Sequence, residues 1–365
     1  MDHIEERARK TPVSIQTDVL VAGGGFAGAS AALAAARMGK KVTLLEREFM
    51  LGGLGTLGLV TIYLPLCDGD GTQVSFGIAE ELFHLSIKRG VQGKYPKPWL
   101  ENGTREEKRK TRFEVQYNPW LFAADLEQLL VAEGVQILYG SAVCDVITEN
   151  DRISALIIEN KSGRSAVTAQ SFVDATGDAD LCHLAGAETA AYAPKNLLAN
   201  WYYFISQSKL KLKMLGCSDV SDDPEQTLAA SRYLGLDAAE ISDKLIEGRS
   251  FMMQHILKYR AETDPAMEPV ATPTIPQLRM TRRLVGATTL DDSPRVYRAD
   301  SIGCFGNWHK RKDTPAYEVP FTALYGKIKN LITAGRCISV TDEMWDFTRV
   351  IPVCAVTGEP SSFFM

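Results

Sequence analysis

The strongest constraint in this sequence is a run of small residues near its start. Thr17 to Ala22 reads TDVLVA, a short apolar strand, and Gly23-Gly24-Gly25-Phe26-Ala27-Gly28 follows at once. ASAALAAARMGKK then reads as an alanine-rich helix ended by Gly39. Alanine loses no side-chain entropy there, and glycine suits the position after a helix. Lys41 to Leu45, KVTLL, is a second strand with Glu46 at its end. Strand, tight turn, helix and strand within about thirty residues make one βαβ start.

In that setting the spacing Gly-x-Gly-x-x-Gly has a mechanical meaning. Gly23 permits the turn, Gly25 lets a pyrophosphate approach the backbone, and Gly28 lets the helix sit close to the strand. The free N–H groups and positive dipole end of the helix then face the diphosphate. Glu46 lies 18 residues after Gly28. A carboxylate there accepts hydrogen bonds from both ribose hydroxyls and repels a 2′-phosphate. Dinucleotide binding is the expectation; the motif alone leaves FAD and NAD both open.

The 365 residues allow about two domains. Hydrophobic residues at 45% and charged residues at 23% are ordinary globular values, which argues against a disordered or fibrous chain. Lys+Arg is 40 against Asp+Glu 45, a net charge of −5, so no basic excess points to nucleic acid. No stretch nears 18 uninterrupted apolar residues, and no membrane span is expected. The opening MDHIEERARKTPVSIQ lacks the apolar core of a secretory signal. Seven cysteines (67, 144, 182, 217, 304, 337 and 354) include no Cys-x-x-Cys pair. Reduced thiols in a cytoplasmic protein fit that pattern better than a disulfide framework or a zinc ribbon.

Further along, residues 50–77 are glycine-rich and read as loop, and 78–90 as helix. The run ENGTREEKRKTR within 93–112 reads as a solvated excursion. PWLFAADLEQLLVAEG, 119–134, is an amphipathic helix closed by Gly134. The period then changes to 2, and 135–177 reads as four or five short strands. Residues 190–330 mix helices (222–262) with strand-like pieces, and LITAG, 331–335, reads as a buried strand returning to the first domain.

Four stretches together resemble the FAD-dependent oxidoreductases with a glutathione-reductase-like dinucleotide fold, and within them the broad bacterial "FAD dependent oxidoreductase" group. They are DVLVAGGGFAGASAALAAARMGKKVTLLE, the Glu46 to Gly58 segment with its Gly-Gly pair, SFVDATGDADLCHLAGA, and NLITAGRCISVTDEMWDFTRVIPVCAVTGE. The resemblance implies an α/β fold: an FAD-binding Rossmann domain with a β-meander plus a mixed α+β substrate domain. The expected division is a discontinuous FAD domain of 15–60, 119–190 and 331–359. The 61–118 excursion and 191–330 would form the substrate cap, with tails at 1–14 and 360–365.

The same resemblance implies the cofactor-binding residues. Gly23, Gly25, Phe26, Ala27, Gly28 and Glu46 form the ADP-binding unit. Arg47 and Gly53 come near the ADP ribose and diphosphate, and Val143 beside adenine. Ala175, Thr176 and Gly177 run along the cofactor, and Gly335-Arg336 lie beside its ribityl and diphosphate. Thr357-Gly358 would begin a helix aimed at the pyrimidine side of the flavin. Family members continue past that Thr-Gly-Glu with a small-residue helix, whereas here TGEPSSFFM ends at Met365. Weaker FAD binding is expected in consequence, unless Phe363 and Phe364 pack against the first domain.

For chemistry beyond the flavin, Arg279, Arg282 and Arg283 in IPQLRMTRRLVG could clamp a carboxylate-bearing substrate or form ordinary salt bridges. Arg282 and Arg349 are the catalytic candidates; the alternative for Arg349 is an ion pair with Asp342, Glu343 or Asp346. His309 sits in the basic GNWHKRKD and reads as a solvated turn rather than a proton shuttle, and His183 as a helix-surface or core residue. No cluster has metal-ligand spacing, and no cysteine pair suggests dithiol chemistry. The expectation is an oxidoreductase passing hydride between a small organic molecule and flavin N5, its oligomeric state open. A non-catalytic flavoprotein subunit or truncated remnant, and a tRNA-modifying flavoprotein, are the alternatives.

Overall fold

The computed structural model describes residues 4, 8–216, 231–293, 298–309 and 316–360. Its centre is a seven-stranded sheet, whose strands are numbered here in chain order: β1 (Val13–Ala22), β2 (Val42–Leu45), β3 (Gln136–Leu138), β4 (Ala142–Glu149), β5 (Arg152–Asn160), β6 (Gly163–Asp174) and β7 (Leu331–Thr333). The order is β3-β2-β1-β6-β5-β4, with β7 also on β6. β1 runs parallel to β2 and β6, and β3 parallel to β2. β4, β5 and β6 form an antiparallel meander. The segment VQILYG therefore stands apart from the meander, on the opposite edge of the sheet.

β6 explains how the chain's late segment returns. Its first residues pair with β5, and its last three, Phe172–Asp174, pair in parallel with Leu331–Thr333. β1 is apolar on both faces, as a central strand must be. Val19 and Val21 pack in one core cluster with the alanines of helix α1 (Phe26–Arg37), while Leu20 and Ala22 pack in a second cluster on the other side. Three further helices matter below: α2 (Pro119–Ala132), α3 (Ala238–Glu262) and α4 (Ile351–Gly358). α2 starts at Asn118, whose Oδ1 accepts from Trp120 N and Leu121 N. Its Phe122 stacks on Phe26 at 4.9 Å.

The charged run at 101–112 is largely exposed, as its composition predicts, while aromatic residues on either side of it pack inward. Trp99 stacks on Phe113 at 5.0 Å, and Thr104 opens the Arg105–Lys110 helix with a capping box. Residues 189–191 and 282–284 form a two-stranded ladder. Tyr202–Ser206 pairs with Lys209–Lys213 and with Glu268–Ala271, and Tyr202, Phe204 and Met267 bury against Ile256 of α3. α3 is a single helix starting after Asp237, whose side chain accepts from Glu240 N. Of the expected 222–262 helical stretch, 222–230 and Cys217 lie outside the described residues, and Arg232–Tyr233 is not helical but a short strand paired with Asn196–Leu197. Among the described residues no helix is long and apolar enough to cross a membrane.

Candidate active site

A cleft opens at the carboxyl ends of the parallel strands, where ligands of open α/β sheets bind. Ala22, Leu45, Ala175 and Ala334, each just at or past the end of β1, β2, β6 and β7, contribute to its wall. The glycine loop supplies its floor. Gly23 has φ +100°, and a Cβ there would run into the Ala175 carbonyl. Gly28 has no room either, because a Cβ would collide with Gly23 O. It permits close helix–strand packing and does not line the cleft. Gly25 is different. It is the N-cap of α1, with φ −67° and ψ −178°, and a Cβ there would meet nothing within 4 Å. No side chain caps this helix. Phe26 and Ala27 also line the cleft, although the Phe26 ring is buried against Phe122.

At one end Glu46 is 7% exposed. Its Oε2 accepts from Gly24 N at 2.7 Å and its Oε1 from Glu48 N at 2.9 Å. Burial pushes this carboxyl above its ordinary value, against the pull of those two N–H groups. Arg47 is half exposed, 3.6 Å from Glu48, and with Gly53 and Val143 it completes this end. Along the middle run Ala175, Thr176 and Gly177. Asp174 Oδ1 accepts from Thr176 Oγ1 at 2.7 Å, and Cys337 Sγ accepts from Gly177 N at 3.2 Å and Ala179 N at 3.3 Å. These bonds fix the loop after β6.

Gly335 and Arg336 also line the cleft. Arg336 Nη1 donates to Leu278 O at 2.6 Å and Arg279 O at 3.0 Å, and Nη2 stands 3.5 Å from Asp178 Oδ1. The guanidinium is thus a brace between the 275–279 segment and the strand ends. At the far end Arg349, Ile351 and Cys354 face the cleft. Arg349 Nε donates to Asp346 Oδ1 at 2.8 Å, and its guanidinium lies over Trp308. Arg349 therefore occupies both positions that the sequence offered as alternatives, cleft wall and ion pair.

Three expectations need correction. Thr357 and Gly358 end α4 rather than begin a helix, and neither lines the cleft. α4 starts at Ile351 after the N-cap Val350, so a helix N-terminus reaches the cleft before the Thr-Gly-Glu, and Pro352 is tolerated in its first turn. Thr357 Oγ1 accepts from Gly335 N at 2.8 Å, and Gly358 lets α4 touch α1 at Ala27 and Ser30. Phe363 and Phe364 lie outside the described residues. Second, Arg282 does not line the cleft; it donates to Asp178 O at 2.9 Å and pairs with Asp180 at 2.7 Å. Third, His309 is not on a solvated turn. It is half-buried and pairs with Asp346, while His183 is exposed as expected.

Asp178 and Asp180 line the cleft and were missed, although they directly follow the Ala-Thr-Gly. Burial, then the Asp178 and Asp174 charges, push Asp180 up to about 6. Ile275, Pro276 and Leu278 also form wall. No motif marks them, because only tertiary folding brings that segment over the strand ends.

Two expected results follow from these bonds. Thr357→Val should leave Gly335 N without its buried acceptor and cost roughly 1–3 kcal/mol in denaturant unfolding. Burial alone would raise Asp346, yet the His309 hydrogen bond and the Arg349 charge hold it down to about 2. A depressed carboxyl contributes stability above its unfolded value, lost as pH falls through the folded one. Asp346→Asn should therefore cost about 2 kcal/mol at neutral pH, and the gap to wild type should close between about pH 4 and 2.

An uncapped helix at the strand ends, with a buried acid after the second strand, defines a dinucleotide-binding α/β protein. The family model "FAD dependent oxidoreductase" matches residues 18–197 and 192–362, and this chain belongs to that family. Its cofactor is FAD and its activity class is oxidoreductase. The residues present fit that group. The open face of Gly25 leaves room that no protein atom fills, and the donor set of α1 and the Glu46 carboxylate match a diphosphate and a ribose.

Similar solved structures include a geranylgeranyl bacteriochlorophyll reductase-like protein from Thermoplasma acidophilum, 13% identical, TM-score 0.47, covering 96% of this chain and 77% of that one. p-Nitrophenol 4-monooxygenase from Pseudomonas putida is 10% identical, TM-score 0.47, with 96% and 79% covered. L-proline dehydrogenase from P. horikoshii is 11% identical, TM-score 0.44, with 95% and 92% covered. None is close enough to lend this chain its reaction.

Proposed function

We propose that the protein transfers hydride equivalents between a small organic substrate and FAD held along this cleft. The carrying observation is the open Gly25 face at the uncapped start of α1, with the buried Glu46 carboxylate beside it. In this reading Gly25, Phe26 and Ala27 offer backbone N–H groups to the diphosphate. Glu46 accepts from the ribose hydroxyls, Val143 packs on adenine, and Gly53 and Arg47 close over that end. Ala175, Thr176, Gly177 and Gly335 form the flat walls of the middle, with Arg336 bracing one of them. When bound, the flavin supplies a site, N5, that accepts or releases a hydride.

The protein's own contribution at the far end is electrostatic. The N-terminus of α4 and the Arg349 guanidinium put positive charge where negative charge develops on reduction. Asp346 holds Arg349 in that position, which makes Arg349 the catalytic candidate and Asp346 its positioning partner. Arg282 supports the Asp178–Asp180 loop instead.

The test is the absorbance of the purified protein followed by anaerobic addition of a metabolite panel. Flavin bands bleached by at least one small molecule are expected. Protein without flavin, even after reconstitution, would overturn the reading. Arg349→Met should lower the flavin reduction potential while leaving cofactor content unchanged.

A further inference from the structure

Behind the 275–279 wall lies a polar cluster that the cofactor does not use. Lys244, in α3, is 2% exposed. Its Nζ donates to Ala199 O at 3.3 Å, and among the described residues no carboxylate pairs with it. Asn200 is 4% exposed, and its Nδ2 donates to nothing. It fills the space left by Gly248, about one turn along α3 from Lys244, where a Cβ would come within 3.2 Å of Asn200 Oδ1. The Nε1 of Trp201 is likewise buried and donates to nothing. The Arg279 guanidinium lies over the Trp201 ring, 5.5 Å from its centroid. Burial, and then the Arg279 charge, push Lys244 down to about 8.

Buried polar groups are almost always paired, so neighbouring orphan donors call for an explanation. Here the two orphans are N–H donors on the two residues that follow Ala199, whose carbonyl accepts from the buried ammonium. The missing partner is an acceptor carrying negative charge. The cluster also touches the cleft wall. Trp201 N donates to Gln277 Oε1 at 3.0 Å, and Gln277 Nε2 donates to Gly58 O. The next residue, Leu278, lines the cleft. One stretch of backbone separates the donors from the cofactor space.

We propose that Lys244, Asn200 and Trp201 bind a carboxylate of the substrate, so that this oxidoreductase acts on small carboxylic acids. The inference rests on the FAD reading for the reaction and on these donors for the substrate class. One ammonium with two neutral N–H donors matches a singly charged, two-oxygen group better than a phosphate dianion.

The test uses the holoenzyme with acetate, succinate and benzoate, each against its neutral amide, and with inorganic phosphate. Carboxylates should raise the melting temperature and perturb the flavin spectrum; the amides should do neither. Lys244→Met removes a buried cation that has no carboxylate partner among the described residues. It should melt higher than wild type without anion and lose the carboxylate-dependent rise, its affinity falling roughly tenfold or more. Trp201→Phe keeps an aromatic ring but replaces the indole with a smaller phenyl and removes the N–H, and should weaken carboxylates without altering flavin content. Equal responses to acids and amides, stronger protection by phosphate, or a wild-type carboxylate response in Lys244→Met would each overturn the proposal. Failure of the FAD reading is separately visible, since the flavin bands are recorded before any anion is added.

Discussion

Gly25→Val should give a folded protein that cannot hold FAD. The backbone at Gly25 sits at φ −67° and ψ −178°, extended geometry open to any residue. Leaving aside its chain neighbours, a Cβ there meets no atom within 4 Å, so the cost to the apo fold is that of valine at a helix N-cap, about 1 kcal/mol. The same methyl groups would occupy the space between the start of α1 and the cleft, where the diphosphate must approach the backbone. The expected outcome is a folded apo protein within about 1 kcal/mol of wild type, by denaturant unfolding, with no flavin after purification or reconstitution. Gly28→Ala is the control with the opposite sign. Its Cβ would collide with Gly23 O and lie 3.1 Å from the Ala175 Cβ, so it should destabilise the fold by about 3 kcal/mol. If Gly25→Val retained flavin, the diphosphate would have to lie elsewhere.

Glu46→Ala should be the second large effect. Two ribose hydroxyls donating to a carboxylate contribute roughly 1.5–3 kcal/mol each. Their loss weakens FAD by about two to four orders of magnitude. The pH dependence separates the two jobs of this side chain. Burial raises its pKa above the ordinary 4.5. In the apo protein the folded state then binds the proton more tightly than the unfolded one. Its contribution to stability is fully present below 4.5 and is lost as pH rises through the folded value. FAD affinity runs the other way, because only the ionised form accepts from both hydroxyls. Affinity should therefore fall on acidification, starting at a higher pH than an ordinary carboxylate would give. Glu46→Gln should flatten that profile. A titration of FAD affinity from pH 8 downwards checks it; an unchanged slope in Glu46→Gln would remove Glu46 from the ribose.

The βαβ start was legible because its signals are local. A six-residue apolar strand, glycines at fixed offsets and an alanine helix each have one economical conformation, and the acid follows at the end of the next strand. The meander was legible for the same reason, through its period of 2 and its turns at 149–151 and 161–163. The C-terminal helix starts at Ile351, ahead of the Thr357 that its sequence suggests. Thr357-Gly358 looks like a helix start only in isolation. Val350, with extended backbone, and Pro352 set the true start at Ile351, and Gly358 is glycine because α4 crosses α1 there.

The sequence by itself determined the dinucleotide unit, the identity of its acid and the late strand available to return to it. Those depend on steric limits and periodicities carried by neighbouring residues. Tertiary structure alone decided what the arginines do. Arg282 is spent on the Asp178–Asp180 loop, Arg336 braces the 275–279 wall, and Arg349 faces the cleft with Asp346 behind it. A guanidinium's role depends on which carbonyl or carboxylate lies within about 3 Å, and those partners are 3 to 104 residues away in the chain. The same holds for Lys244, one of the chain's many lysines, in a mostly polar helix, until folding removes its water and leaves it bonded to Ala199 O.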